Sequence, residues 1–372
     1  MSDRPVLLTP GPLTTSDSVK AAMLRDWGSR DGAFITINRQ MRDRLLALAN
    51  AETSHVCVPI QGSGTFAVEA TIGTLLPPGG RLLVLVNGAY GERMVRIAET
   101  LGRSVTRLDW PEDQPVAVEQ VDAALRADPA ITDVALVYCE TTSGLLNPLQ
   151  AVAELVDRHR RRLIVDSMSA FGALPVDARR TPFTALVASS NKCLQGVPGL
   201  GFALIRREAL AAAKGNAHSL SLDLHDQWQG FERNEQWRFT PPTHVVAALM
   251  QALDEHRAEG GVEGRGARYR ANHRILVEGM TALGFRPLLP DAVQAPIIVT
   301  FRMPADPAFV FSDFYERLRA RNFTIYPGKL TAAPSFRIGC IGDLRPDNMR
   351  AALAAIRDCL TEMGVTSGQP AD

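Results

Sequence analysis

Lys192 is the residue whose position in this sequence most clearly indicates chemistry. It lies in the stretch TALVASSNKCLQGVPGLGFALI, after one apolar run and before a Gly- and Pro-rich turn that leads into another. Between two buried strands, desolvation would lower the pKa of the amine and favour the neutral form that attacks carbonyl groups. A lysine whose stem follows the sheet edge while its charge stays in water is the competing interpretation.

Lysine is rare in this chain, which makes a lysine within an apolar segment informative. The forty Lys and Arg residues of the 372-residue chain include only four lysines, Lys20, Lys192, Lys214 and Lys329. Lys20 and Lys214 suit an exposed helical surface, and Lys329, in the turn YPGKL, is the weaker rival. Because arginine supplies nearly all the positive charge, we expect Lys192 to be present for its amine.

Asp166 follows the apolar residues of RRLIVDSMSAFG and would stand at the carboxyl end of a buried strand. Ligands of open α/β sheets bind at that edge. An ionised carboxylate there can keep the ring nitrogen of pyridoxal 5′-phosphate (PLP) protonated, so that the ring withdraws electrons. Taken alone, a helix-cap or turn aspartate is the better explanation. Lys192, 26 residues later and one strand further on, favours the cofactor interpretation.

Ser63, Gly64 and Thr65 belong to the stretch QGSGTFAVEA, which leads into a strong helical pattern. Glycines let a phosphate approach the backbone, and a helix N-terminus offers free N–H groups and a partial positive charge. The stretch contains neither the GxxxxGK(S/T) loop nor the full GxGxxG fingerprint. A simple helix cap is the alternative, so a phosphate site is favoured only in combination with Lys192 and Asp166.

Three further residues could complete a site for a flat, charged ligand. Tyr90, in NGAYG after an apolar run, could stack on a ring, and Thr141, in YCETTSG, could hydrogen-bond a phenolic oxygen. A partly buried loop tyrosine and a turn-capping threonine are the alternatives. Arg337, in the strand-like PSFRIGCIG, could bind a carboxylate or phosphonate through its planar fork, although an internal ion pair would also satisfy it.

Short apolar strands that alternate with amphipathic helices must position these residues. This alternation predicts an α/β fold in which a mostly parallel mixed sheet lies between layers of helices. The predicted strands of the sheet are residues 82–86, 134–139, 163–166, 185–189 and 201–205.

A polar region at residues 254–264 predicts a domain boundary. The large domain would span residues 16–255, and a smaller α+β C-terminal domain would span residues 256–366. We expect the segment 1–15 to pack near the small domain and the active site. We expect the tail, residues 367–372, to be disordered.

The composition disfavours several classes of protein. Forty basic and forty acidic residues give a formal net charge of zero, which predicts a small-molecule substrate rather than nucleic acid or a membrane. The five cysteines are scattered without a CxxC pair, which disfavours a metal site and favours a reducing cytoplasm. No apolar run approaches the roughly 20 residues that span a bilayer.

Together these segments resemble the class V aminotransferases of PLP fold-type I. The resemblance extends in one order from the N-terminus to about residue 345. The motif VDS with a later SNK is general to that class, whereas SNKC-x-QGVPG, WRFT-x-PTH and FRIG-x-IG are narrower. The other matching stretches are LLTPGPLTTS, QGSGTFAVEA, NGAYGERM, ETTSGLLNP, SLSLDLHDQW and TIYPGKL.

The resemblance implies a role for each candidate residue. Lys192 would hold PLP as a Schiff base and carry the proton, and Asp166 would pair with the ring nitrogen. Arg337 would bind the acidic group of the substrate, with Gly11 as a further contact and Arg30 as either a second anion-binding group or a surface charge. The remaining cofactor contacts would be Ser63, Gly64 and Thr65 at the phosphate, Tyr90 stacked on the ring, Thr141 at the phenolic oxygen, and Thr240 at the phosphate of the neighbouring subunit in a homodimer.

The narrower motifs are similar to those of class members that transfer the amino group of 2-aminoethylphosphonate to pyruvate. The products would be phosphonoacetaldehyde and L-alanine. A transaminase for another pair, such as alanine or serine with glyoxylate, would use the same core. A related PLP lyase would release ammonia from an aminophosphonate, and an inactive binding protein would retain only the fold.

Overall fold

The computed structural model describes residues 5–328 and 331–371. Lys329, the weaker rival of Lys192, lies outside the described residues. Within those residues, every helix is too short or too polar to cross a lipid bilayer.

Helices and strands alternate along most of the chain. The strands are β1 Val6–Leu7, β2 His55–Gly62, β3 Arg81–Val86, β4 Ser104–Asp109, β5 Ile131–Val137, β6 Cys139–Glu140, β7 Leu145–Leu146, β8 Arg162–Asp166, β9 Ala185–Ser189, β10 Gly199–Arg206, β11 Ile298–Arg302, β12 Phe323–Thr324, β13 Tyr326–Pro327 and β14 Ser335–Gly339. The helices are α1 Asp17–Ala21, α2 Gly32–Ala47, α3 Gly64–Leu75, α4 Ala89–Thr100, α5 Val118–Ala127, α6 Leu149–Arg158, α7 Arg207–Ala211, α8 Leu224–Asn234, α9 Thr243–Ala258, α10 Gly261–Ala282, α11 Phe311–Ala320 and α12 Pro346–Met363.

The large sheet has the strand order β2-β10-β9-β8-β5-β3-β4. Strand β10 runs antiparallel to both of its neighbours, and the other pairs are parallel. Along β3, Leu83 and Leu85 pack into one hydrophobic cluster, whereas Leu82 and Val84 pack into the cluster on the opposite face. Both faces are therefore covered, as the apolar strands require. The predicted α/β fold with a mostly parallel mixed sheet is confirmed.

Two strands of this sheet, β2 and β4, are missing from the predicted set. Strand β4, SVTRLD, lies at the edge of the sheet and has only two apolar residues, Val105 and Leu108, which weakens the pattern of a buried strand. Strand β2, HVCVPIQG, contains Pro59, which argues against a strand in sequence-based reasoning. It also lies at an edge and pairs with β10 alone.

The C-terminal part forms a second layer of structure around its own hydrophobic cluster. Strands β11, β14 and β13 form an antiparallel sheet that packs with α10, α11 and α12. Strand β1 pairs with β12, so the N-terminal segment joins this layer before it passes Gly339, whose N–H donates to Leu8 O. The break between α9 and α10 falls at residues 259–260, inside the predicted polar boundary. The division into domains at residue 256 remains our interpretation.

The prediction of a disordered tail is corrected for residues 367–371, which lie against the C-terminal layer. The N–H of Gly368 donates to Leu283 O at 3.1 Å, and Gln369 O accepts from the N–H of Ala305 at 2.7 Å. Pro370 forms an isolated bridge with Pro304. These partners come from loops that are distant in sequence, so the polar composition of the tail does not reveal them.

Candidate active site

Lys192 lies in the turn between β9 and β10, beyond the carboxyl end of β9. Its Nζ donates to Pro10 O at 2.8 Å, so the amine is directed toward the N-terminal segment. Gly11, with a φ of +121°, passes so close that a Cβ there would lie 2.9 Å from Nζ. Burial lowers the pKa of Lys192 and thereby favours its free amine.

Asp166 is the last residue of β8 and is only 5% exposed. Its Oδ1 accepts from the N–H of Met168 at 2.9 Å. Burial raises the pKa of Asp166 to about 6, and the nearby Glu140 carboxylate acts in the same direction. No cation among the described residues forms an ion pair with Asp166. The Met168 N–H and the nearby Lys192 and Arg93 lower the pKa of Asp166 without pairing with it, and a ligand with a protonated ring nitrogen would supply the paired positive charge.

Helix α3 begins at Gly64, directly after the edge strand β2. Ser63 occupies the N-cap position, but its side chain accepts no hydrogen bond from the helix, so a side-chain cap does not account for it. The N–H groups of the first turn have no partners within the helix. Thr65 Oγ1 accepts from Arg93 at 3.3 Å, which brings a cation beside this turn. The arrangement suits a bound phosphate.

One cavity of about 440 Å³ brings most of the predicted cofactor residues together. Its volume is in the range of small-molecule sites. Its lining includes Ser63, Gly64, Thr65, Tyr90, Thr141, Asp166 and Lys192.

Arg93 is a lining residue that was not predicted. Its guanidinium carbon lies 4.8 Å from the centre of the Tyr90 ring. The three-residue spacing of Tyr90 and Arg93 on α4 places them on one helix face, and this is the signal that would have revealed Arg93. Met168, Ser169, Ser189 and Asn191 also line the cavity and carried no such signal.

Arg337 lies in β14, beside the cavity rather than in its lining, and is 7% exposed. It donates to Thr141 O at 3.0 Å and to Pro327 O at 3.2 Å, while its Nε has no hydrogen-bond partner. Within the described residues, no Asp or Glu forms an ion pair with it. The alternative of an internal ion pair is therefore not supported by any contact of Arg337 with the residues that the structure describes. Burial lowers the pKa of Arg337, because backbone carbonyls satisfy its hydrogen bonds without cancelling its charge.

The sequence matches the family model described as Aminotransferase class-V over residues 14–356. The chain belongs to the class V aminotransferase family. The aminotransferase prediction is thereby confirmed. The cavity described above lies at the carboxyl edge of the large sheet of a class V aminotransferase.

Curated relatives of this class V aminotransferase carry one activity in their names. The 2-aminoethylphosphonate–pyruvate transaminase of Pseudomonas putida (strain W619) is 55% identical over 365 residues, which cover 98% of this chain and 99% of that protein. The 2-aminoethylphosphonate–pyruvate transaminase 2 of Burkholderia lata is 54% identical over 365 residues, 98% of this chain and 97% of that protein.

Solved structures of other aminotransferases share the fold. Pyridoxamine–pyruvate aminotransferase from Mesorhizobium loti superposes with a TM-score of 0.89 at 26% identity, covering 98% of this chain and 95% of that one. Ureidoglycine–glyoxylate aminotransferase from Bacillus subtilis gives a TM-score of 0.90 at 22% identity, covering 99% and 95% of the two chains. The second likeness concerns the fold alone.

Arg30 and Thr240 lie apart from the cavity of this class V aminotransferase. Both are exposed, and they line a separate pocket of about 320 Å³ together with Trp237 and Arg238. Thr240 is not among the residues that line the cavity at the N-terminus of α3. Its predicted contact with the phosphate of a neighbouring subunit, and the role of Arg30, therefore remain predictions.

The residues at the carboxyl edge could hold PLP, the cofactor associated with this family. The Lys192 amine could bond to its aldehyde, and the Asp166 carboxylate could pair with its ring nitrogen. The α3 N-terminus could accept its phosphate, and Tyr90 could stack on its ring. The protonated ring nitrogen of the cofactor would pair with the Asp166 carboxylate, and its anionic phosphate would bind at the positive N-terminus of α3.

Proposed function

We propose that this chain is a PLP-dependent aminotransferase that moves the amino group of 2-aminoethylphosphonate to pyruvate, giving phosphonoacetaldehyde and L-alanine. The proposal is supported by 55% identity to transaminases named for that reaction, over 98% of the chain. The structural observation that carries it is Arg337, next to the cavity that contains Lys192 and Asp166; this buried guanidinium has no anionic partner among residues 5–328 and 331–371.

Lys192 has two tasks in this proposal. Its amine would hold PLP, and as a free amine it would accept the proton that the substrate carbon loses and later return it. When bound, PLP supplies the electron sink for the carbon that loses this proton. The lowered pKa of Lys192 suits both tasks, since each needs the neutral amine for part of the cycle.

Asp166 would keep the ring nitrogen of bound PLP protonated. A carboxylate with a pKa of about 6 is partly protonated near neutral pH, but the positive ring nitrogen would lower that pKa and hold Asp166 ionised. Burial makes the pairing stronger than it would be in water, because the local dielectric constant is low.

Arg337 gives both substrates a common binding site. 2-Aminoethylphosphonate carries a phosphonate and pyruvate carries a carboxylate, and a guanidinium binds either anion through paired hydrogen bonds. The amino donor and the keto acceptor can therefore use one site in turn. Arg337 already has Thr141 O and Pro327 O as acceptors, which fix the plane of its guanidinium.

We also propose a homodimer in the cytoplasm. In a dimer, the exposed Thr240 of one subunit would contact the phosphate bound to the other subunit. Within its own chain, Thr240 is not among the residues that line the cavity. All five cysteines are buried, and their scattered spacing without a CxxC pair favours a reducing compartment.

The test of the proposed function is spectroscopic. The absorption band of the purified protein with PLP should bleach on addition of 2-aminoethylphosphonate and return on addition of pyruvate. Bleaching by alanine but not by the phosphonate would support an alanine–glyoxylate type of transaminase instead. Release of ammonia without a keto acid would support the lyase, and failure to bind PLP would contradict the whole proposal.

A further inference from the structure

Glu140 is a buried carboxylate that the proposed mechanism does not use. It follows β5 on the short strand β6, just beyond the carboxyl edge of the large sheet, and its side chain is 0% exposed. A fully buried Glu is rare unless it is paired or hydrogen-bonded. Its surroundings therefore need an explanation.

Glu140 binds the first turn of helix α4 from a different strand. Its Oε2 accepts from the N–H of Tyr90 at 3.2 Å and of Gly91 at 3.4 Å. Its Oε1 accepts from the N–H of Thr142 at 3.1 Å and from the Thr142 hydroxyl at 2.6 Å. The Thr142 hydroxyl oxygen in turn accepts from the N–H of Ala89 at 2.9 Å. The first turn of α4 is thus capped by residues 140 and 142.

The N-cap residue of α4 is Gly88, which has no side chain to cap the helix. A Cβ at Gly88 would overlap the Glu140 side chain, so the glycine leaves room for the carboxylate. Glu140 therefore replaces the usual local cap, and negative charge at a helix N-terminus is stabilising.

The two segments that Glu140 joins both face the cavity. Tyr90 lies on the first turn of α4, and Thr141 lies between Glu140 and Thr142 in the sequence; both Tyr90 and Thr141 line the cavity. Thr141 O also accepts from Arg337, which links the segment to the anion-binding guanidinium. A shift of this segment would move the ring-stacking residue, the residue at the phenolic oxygen and Arg337 together.

Both oxygens of Glu140 accept two hydrogen bonds, which an amide cannot reproduce. Gln at this position would turn an NH₂ group toward N–H donors or toward the Thr142 hydroxyl. Burial raises the pKa of Glu140, while the hydrogen bonds from Thr142, Gly91 and Tyr90 lower it. The arrangement of donors around both oxygens is that of a carboxylate acceptor.

We propose that Glu140 is a positioning residue, which locks the first turn of α4 to the segment 140–142 and so holds Tyr90, Thr141 and Arg337 in register around PLP and the substrate anion. The inference rests on the proposed function for the identity of the ligands. The hydrogen bonds between Glu140, Thr142 and the first turn of α4 are present in the chain without ligand.

The experiment compares Glu140→Gln and Glu140→Asp with two matched controls. Glu92→Gln removes a carboxylate from the same first turn of α4, where Glu92 faces solvent and pairs with Arg107 at 2.6 Å. Asp133→Asn removes another buried carboxylate, on β5 near the opposite end of that strand, where Asp133 pairs with Arg162 at 2.7 Å. The controls separate the lock from the loss of any nearby or any buried charge.

Two measurements are made on each protein. Hydrogen exchange of the α4 first-turn amides in the PLP-free protein should be at least about tenfold faster in Glu140→Gln, because hydrogen bonds to a charged acceptor are lost. The dissociation constant of PLP, from absorbance titration, should rise by about 10- to 100-fold. Glu140→Asp keeps the charge and should recover part of both effects, and both controls should stay within about twofold of the original protein.

Two results would overturn the proposed role of Glu140. Unchanged exchange and unchanged PLP affinity in Glu140→Gln would overturn the inference. An equal loss of PLP affinity in Asp133→Asn would also overturn it, because the effect would then be general destabilisation. If the original protein bound no PLP, the proposed function would fail, while the exchange rates would still decide whether Glu140 locks α4.

Discussion

Two carboxylates, Asp166 in the cavity and Glu259 at the break between α9 and α10, have opposite pKa shifts. Burial raises the pKa of Asp166 to about 6. Burial alone would also raise the pKa of Glu259, but hydrogen bonds and charge from Arg268 and Arg265 hold it at about 2. Each arginine Nε lies 2.5 Å from a Glu259 oxygen. The difference is the supply of positive charge within the chain.

The comparison distinguishes a carboxylate that is paired within the fold from one that a bound cation could pair with. At Glu259, the buried Arg265 also donates to Cys193 O, so this ion cluster supports the turn that carries Lys192 from behind. At Asp166, the described residues supply one backbone N–H and no ion pair. A buried carboxylate without a cationic partner lowers the free energy of unfolding, and a bound cation raises it again.

The largest expected effect follows from removal of the amine itself. Lys192→Ala should lower transaminase turnover by about 10⁴-fold or more, because both the attachment point and the proton carrier are lost. Borohydride reduction and peptide mass mapping should label Lys192 in the original protein and nothing in the variant. Lys214→Ala, which removes an exposed lysine, is the control and should keep full turnover. Full turnover of Lys192→Ala would refute the assignment.

The sequence allows the carboxyl edge of the sheet to be predicted because each strand there ends in a change of residue type. Asp166 directly follows an apolar run, Lys192 follows another after the polar residues 189–191, and parallel strands bring such ends to one edge. Gly64 and its neighbours were predicted from a local helix pattern alone. These positions could be predicted because they depend on neighbouring residues in the sequence or on the parallel order of the strands.

Residues whose environment depends on distant partners could not be predicted. Glu140 lies in YCETTSG and looks like part of a polar turn, yet it is fully buried and binds the first turn of α4. Arg265 follows the polar region predicted as a boundary, yet it is 1% exposed because Glu259 and Cys193 O satisfy it. A sequence shows the charge of a side chain but not the partner that allows its burial.

Asp166→Asn should lower activity and stabilise the protein without PLP, and this combination tests the comparison directly. Asn cannot hold a ring nitrogen protonated, so turnover should fall by about 10²- to 10³-fold. The folded-state pKa of about 6 exceeds the ordinary value of 3.8, so ionisation of Asp166 opposes folding. That cost begins as the pH rises above about 4 and is complete above about 6.

Removal of the carboxyl group avoids this cost. The free energy of unfolding of the PLP-free variant, measured by urea denaturation, should exceed that of the original protein by up to about 3 kcal/mol at pH 8. The difference should disappear below pH 4. A PLP-free variant that is less stable at pH 8 would contradict the view that Asp166 is an unsatisfied charge.

Glu259→Gln should have the opposite dependence on pH and a smaller magnitude. The folded-state pKa of about 2 lies below the ordinary value of 4.5, so the ionised Glu259 stabilises the fold above pH 4.5, and this contribution is lost as the pH falls toward 2. Because Glu259 is partly exposed, solvent screening reduces the expected loss at pH 7 to about 1–2 kcal/mol. Urea denaturation of the PLP-free proteins at pH 7 and pH 3 should show the difference shrinking at the lower pH. A constant difference would mean that packing around Arg265, and not the charge of Glu259, supports the turn of Lys192.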